Sequence, residues 1–261
     1  MNAFSMGLFI FILSFLSIHS MHCSEIDLGL YEKSVHSQNG EDGVTEALFD
    51  LIGSDSKFFV EFGVQDGSEC NTRYLREHLG WSGLMMDSDH QNTAINLQQE
   101  RITAENINSL FEKYQVPDEL DLLSIDIDSN DFHIWHAIDS RYRPKVVIIE
   151  YNATHLPHED KVVVYDPNLC WDGYNYFGAS ILSLYKLARK KGYSLVYADN
   201  TGVNLFFIRD DLVEMSSFTF KNINCVDKTY KYFGHNGSGP NKGHQADPYK
   251  RPYVMAEQLL L

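Results

Sequence analysis

The chain has 261 residues, 44% of them hydrophobic and 22% charged, and a formal net charge of -15 at pH 7. That length suits one sizeable α/β domain with its own core, and the composition excludes a wholly disordered chain. A surface this acidic repels a polyanion, so no nucleic-acid partner is expected.

The first segment differs from the rest. Leu8 to Ile18 reads LFIFILSFLSI, free of charge and apolar but for two serines. Small or short residues follow it, so residues 1–23 are expected to be a secretory signal peptide cleaved after Ser20 or Cys23. A retained signal anchor is the alternative, although the run is short for a bilayer span and lacks a preceding Lys or Arg. The expected location is the secretory pathway or the extracellular or periplasmic space. There Cys170 and Cys225 have the opportunity to pair, with free thiols as the alternative.

A polar, glycine-rich stretch, SVHSQNGEDG, then leads into an amphipathic helix over residues 42–52. Residues 57–62 read as a buried strand, followed by a Gly63-to-Gly67 loop and a helix over 70–79. A second strand over 84–86 ends at Asp87, and a short third strand is expected over 102–104. A helix over 107–114, a strand over 120–126 and a helix over 131–138 follow. Pro144 precedes KVVIIE, the clearest core strand. A long loop over 152–177, a helix over 179–190 ending at Gly192, and a hairpin over 193–208 complete the pattern. Strands alternating with helices predict a mostly parallel sheet covered on both faces, closed by the antiparallel hairpin. Residues 213–261 read as an irregular extension.

In an open α/β sheet, ligands sit beyond the carboxyl ends of the strands. Those ends carry Glu61 with the 63–67 loop, Asp87, Glu105-Asn106, Asp126-Ile127-Asp128 and Glu150-Tyr151-Asn152. The glycines permit backbone to approach a ligand, and a carboxylate at Asp87 suits the hydroxyls of a ribose. A tight turn with Asp87 capping the next helix is the plainer reading.

The stretches VEFGVQDGSECNTRYL, GWSGLMMDSD, DLLSIDIDSNDFHIW and VVIIEYN occur in that order. Together with SQNGEDG upstream and YFGASILSLYKLARKKGYSLVYADNTGVNLFFIRDDL downstream, they resemble the FkbM-type and related class I methyltransferase-like proteins over residues 37–212. The resemblance implies a Rossmann-like, seven-stranded class I domain over 34–212 that binds S-adenosylmethionine. It places Glu61, Gly63, Asp66 and Gly67 in the cofactor loop, with the glycines against the methionine part. Asp87 falls on the ribose, and Glu105 or Asn106 near the adenine. Gln65 stands where the family's loop has its middle glycine. The family does not supply an acceptor.

Asp126, Asp128, Glu150 and Asn152, with Asp131 nearby, form a hard-oxygen set suited to Mg²⁺, Mn²⁺ or Ca²⁺. Such an ion lowers the pKa of a substrate hydroxyl. Helix capping and solvated loop carboxylates are the alternatives. Asp126, Glu150 and Asn152 are the residues expected around an acceptor oxygen, with His155 as general base. His133 and His136 share a helix face, and His158 lies in the same loop as His155. Tyr165, Trp171, Tyr174, Tyr176 and Phe177 either wall a substrate pocket or pack a long loop.

Asn152-Ala153-Thr154 and Asn236-Gly237-Ser238 fit the glycosylation sequon. A glycan on Asn152 would obstruct the expected site. The favoured activity is methyl transfer to an oxygen of a small molecule or glycan. Two alternatives stay open: a nucleotide-sugar glycosyltransferase using Asp126-Ile127-Asp128 as a DxD, and a non-catalytic binding or trafficking module that kept the fold.

Overall fold

The computed structural model describes residues 24–232 and 243–261. The expected signal segment and the Asn236 sequon lie outside the described residues.

Seven strands make the central sheet: β1 (Phe58–Phe62), β2 (Ser82–Asp87), β3 (Leu97–Gln99), β4 (Leu122–Ile125), β5 (Val146–Glu150), β6 (Tyr193–Ala198) and β7 (Asn204–Arg209). Their order is β3-β2-β1-β4-β5-β7-β6, with β7 antiparallel to both neighbours and the other pairs parallel. This is the class I methyltransferase fold. Helices α1 (Glu41–Ile52), α2 (Arg73–His78), α3 (Ile107–Lys113), α4 (Asp131–Ala137) and α5 (Ile181–Lys191) cover the sheet.

The inner strands β4 and β5 are largely apolar because both faces are buried. On one face Val60, Leu123, Val147 and Phe207 pack with Phe111, Trp135 and Leu184 of α3, α4 and α5. On the other, Phe59, Leu122, Ile148 and Phe206 pack with Val44 and Leu48 of α1. Helix α5 starts where the Ser180 hydroxyl accepts the Ser183 N–H, and stops at Gly192, whose φ of +82° favours glycine. No helix among the described residues is long and apolar enough to cross a membrane.

Two expectations are corrected. The third strand lies at Leu97–Gln99, before the position predicted for it, because residues 102–104 instead turn into α3. The chain beyond residue 213 carries regular elements: Phe218–Phe220 pairs in parallel with Ser24–Ile26, and Tyr253–Val254 pairs with Val162–Val163 inside the long loop. These strands are two or three residues long, too short to show a period. Of the two readings left open for Cys170 and Cys225, the structure has the free thiols.

Candidate functional site

The β1 loop is shaped by contacts that need glycine. Gly63 has φ +70°, and a Cβ there would stand 1.6 Å from the Asp126 carbonyl oxygen. The loop therefore lies directly on the end of β4. Gly67 has φ +77°, and its Cβ would meet Ile95 at 2.7 Å. Gln65 adopts φ +50° without being glycine, at a cost of about 1–2 kcal/mol. Its N–H is held by Asp87 Oδ2 at 2.8 Å. Asp87 Oδ1 accepts the N–H groups of Asp89 and His90 and faces His90 Nδ1 at 2.9 Å. The Oδ2 atom keeps an acceptor position for a further donor.

Glu61 is buried and turned inward. It accepts from the backbone of Asn71 and Thr72 and from the Thr72 hydroxyl, tying β1 to the start of α2. Asp66 is exposed and accepts the Ser68 N–H. A cleft of about 340 Å³ opens over this loop, lined by Gly63, Gln65, Asp87, Arg101, Ile102 and Asp126 among others. Glu105 and Asn106 do not line it. Glu105 accepts from the Tyr165 hydroxyl, and Asn106 holds Thr103 N and Arg101 O. Because β3 lies earlier than its predicted position, the residues at its carboxyl end are Glu100, Arg101 and Ile102. Arg101 donates to Pro167 O at 2.8 Å, drawing the 167–171 loop, with Trp171, over the cleft.

Asp126, Asp131 and Glu150 offer carboxylate oxygens that all lie within 4.8 Å of one another. Burial pushes the Asp126 and Glu150 carboxyls well up from the usual range, and the neighbouring carboxylates push them further. Asp131 is pushed up to about 7 by burial, against the N–H groups of Ile127 and Ser129 that its oxygens accept. Glu150 Oε2 is a buried oxygen with no hydrogen-bond partner among the described residues. A divalent cation fits this donor set, since no basic side chain contributes to it.

Asn152 does not belong to the set. It is fully buried, its Nδ2 donates to Asn175 O and Phe177 O, and its Oδ1 accepts from Thr154 N and Oγ1. It fastens the long loop to β5, and a glycan has no space on it. A side-chain amide directly beside Glu150 is that of Asn204, the first residue of β7 and the cross-strand partner of Glu150. Asn204 is 3% exposed, and its Oδ1 also has no hydrogen-bond partner among the described residues.

His155 is likewise away from the cavities, buried with its ring edge against Tyr253. His133 Nε2 donates to Val163 O, and His136 lies at the opposite end of the sheet with Tyr142 and Lys191. The histidine lining the pocket beside Glu150 is His244, from the C-terminal extension. It stacks edge-on with Trp171 and Phe177 and lines a pocket of about 180 Å³ with Asp128, Glu150 and Gln38. Tyr165, Tyr174 and Tyr176 pack the loop instead.

Between cleft and pocket lies a polar chamber of about 190 Å³. Asp126 is shared by cleft and chamber, Glu150 by chamber and pocket, and Asp128 by all three. The SQNGEDG segment roofs the chamber. Asp42 Oδ2 gathers the N–H groups of Val35, His36 and Ser37, and Glu41 accepts from Asn39 and from Asn204 Nδ2. Gly43 has no room for a Cβ, which would meet Tyr31 O at 2.0 Å. Gln38 and Asn39 thereby face the chamber. In sequence this stretch reads as a polar loop and as part of the family resemblance, with no role assigned to Glu41 or Asp42. Asn204 falls within the expected hairpin, and His244 carries no local signal.

No protein-family model matches the sequence, and no curated protein matches it. Among solved structures, the chain is similar to an O-methyltransferase family protein from Burkholderia thailandensis, at 8% identity and a TM-score of 0.37. The match covers 65% of this chain and 57% of that protein. The fold assignment rests on the strand order.

Proposed function

We propose that the chain is an S-adenosylmethionine-dependent methyltransferase of FkbM-like type, acting on an oxygen of a small molecule or glycan. The observation that carries this reading is the continuity of the cavities. A cleft of cofactor size joins a smaller aromatic-walled pocket, and the carboxyl groups of Asp126 and Glu150 stand where the two meet.

S-adenosylmethionine, when bound, supplies an already activated sulfonium methyl, so the protein's task is positioning and proton removal. The 63–67 loop presents backbone to the ligand, and Asp87 Oδ2 has an acceptor position for a ribose hydroxyl. Arg101 and Ile102 stand at the β3 end, where the base belongs. Trp171, Phe177 and His244 hold the acceptor. Glu150 takes the acceptor's proton as the oxygen gains its methyl group, a role suited to a carboxyl whose proton affinity burial has raised. With Mg²⁺ or Mn²⁺ bound, Asp126, Glu150, Asp131 and the Asn204 amide oxygen would hold the ion, and the ion rather than the Glu150 carboxylate would then favour the ionised acceptor. The amide of this set is Asn204 because Asn152 is committed to its loop. The expected secretory location is kept as part of this proposal.

Calorimetric titration of the full chain with S-adenosylmethionine, with and without Mg²⁺ or Mn²⁺, is the test. Binding that is lost in Asp87→Ala supports the reading. No binding under any condition sinks it, leaving a non-catalytic module. Binding of a nucleotide sugar with Mn²⁺ instead points to glycosyl transfer.

A further inference from the structure

Outside these cavities, a second group of side chains converges on one point. His36 Nε2 stands 3.3 Å from His78 Nε2 and 3.5 Å from Glu77 Oε2. The three ligand atoms come from two stretches of chain, the segment before α1 and the end of α2. Ligands at 2.0–2.1 Å from a tetrahedral ion stand about 3.3–3.4 Å from one another. The observed separations are edges of that size.

We propose that His36, Glu77 and His78 form a three-ligand site for an imidazole-preferring divalent ion of the Zn²⁺ type, with a water as fourth ligand. A single ion shared by the three side chains accounts for both separations at once, and all three ligand atoms lie within 4.8 Å of one another. The carboxylate is already oriented for the task. Arg73 Nε and Arg76 Nη2 hold Glu77 Oε1 at 2.9 and 3.4 Å, which leaves Oε2 turned toward the histidines. The Tyr74 ring packs against His78 at 4.9 Å and fixes its plane. Two imidazoles and one carboxylate oxygen select Zn²⁺ over Mg²⁺ or Ca²⁺, which require an oxygen cage. The positive charges of Lys33, Arg73 and Arg76 nearby keep the affinity moderate.

The position gives the ion a consequence. His36 belongs to the turn that Asp42 closes, and that turn continues into Gln38 and Asn39 over the polar chamber. Helix α2 follows the β1 glycine loop. An ion bridging His36 to Glu77 and His78 therefore clasps the chamber's roof to the element beneath the cofactor cleft.

The test is titration of the full-length protein with Zn²⁺, followed by Co²⁺ substitution. The expected result is a Zn²⁺ equivalent that persists in Asp126→Asn, a raised unfolding midpoint, and the intense visible absorption of four-coordinate Co²⁺. His78→Ala, at an exposed position that leaves the core untouched, and His36→Ala should each weaken binding by at least about tenfold. Asp126→Asn should leave Zn²⁺ binding unchanged, which separates this site from the acidic chamber. Absence of binding, binding unaltered in both histidine variants, or binding lost in Asp126→Asn would each overturn the proposal.

Discussion

Glu150 on β5 lies directly opposite Asn204 on β7, and each ends in a buried oxygen that has no hydrogen-bond partner among the described residues. Two unsatisfied acceptors side by side, next to Asp126 and Asp131, cost stability unless a proton or a cation is supplied. The arrangement sacrifices stability at the point where the cleft, the chamber and the smaller pocket meet, a pattern common at functional sites.

That cost has a pH signature. Burial raises the Glu150 carboxyl well above its ordinary 4.5 and Asp131 to about 7. The folded state therefore keeps protons that the unfolded chain has already released, and folding takes up protons in this window. Stability should fall as pH rises from the ordinary carboxylate range through about 7, the reverse of a salt-bridged carboxylate. Unfolding midpoints at about pH 5 and about pH 8 measure the slope. Glu150→Gln should flatten it and raise the midpoint at the higher pH, while turnover falls by about 10²-fold or more. Part of the slope remains in the variant, because Asp199, raised to about 6, titrates in the same direction. An unchanged slope would remove Glu150 from the coupled group.

Gly63 and Gly80 provide a matched pair. Both have φ +70°, but a Cβ at Gly80 meets nothing within 4 Å, whereas one at Gly63 meets the Asp126 carbonyl oxygen. Gly80→Ala should cost about 1–2 kcal/mol from backbone strain alone. Gly63→Ala should cost clearly more, since backbone must move, and should also abolish cofactor binding. Denaturant midpoints for the two variants decide it, with equal losses counting against a close β1–β4 contact.

Asn152 should behave as a structural residue. Asn152→Ala leaves Asn175 O, Phe177 O and the Thr154 donors without their partner, a loss of about 2–4 kcal/mol. Its Mg²⁺ or Mn²⁺ affinity in the folded state should match that of the native chain, whereas Asn204→Ala should weaken it. Peptide mapping of protein expressed in a glycosylating host should find Asn152 unmodified. A full-occupancy glycan there would contradict its burial.

His244 and Trp171 should govern acceptor binding rather than cofactor binding. Trp171→Ala removes a wall of the pocket and should raise KM for the acceptor by about tenfold while kcat changes less. His244→Ala should act alike, and His155→Gln should leave KM unchanged. The KM-against-kcat split in steady-state assays is the measurement. A shift confined to kcat would place His244 in the proton path instead.

The order of elements and most of the strand-end acids were legible in the sequence, because each follows from a local rule. Continuous apolar runs such as VVIIE require a strand buried on both faces, and glycine at positions 63 and 67 requires a turn. By itself, then, the sequence determined an α/β sheet whose carboxyl edge carries Glu61, Asp87, Asp126 and Glu150. Tertiary structure decided which of those groups face a ligand and what joins them. Asn152 and Asn204 are the same residue type at adjacent strands, yet packing consumes one amide and leaves the other's oxygen open. His155 and His244 are exchanged in the same way, as the C-terminal extension folds back over the long loop. Such contacts join residues far apart in the chain, and no local period encodes them; only the packing of α1 against the assembled sheet brings Glu41 and Asn204 within 2.8 Å.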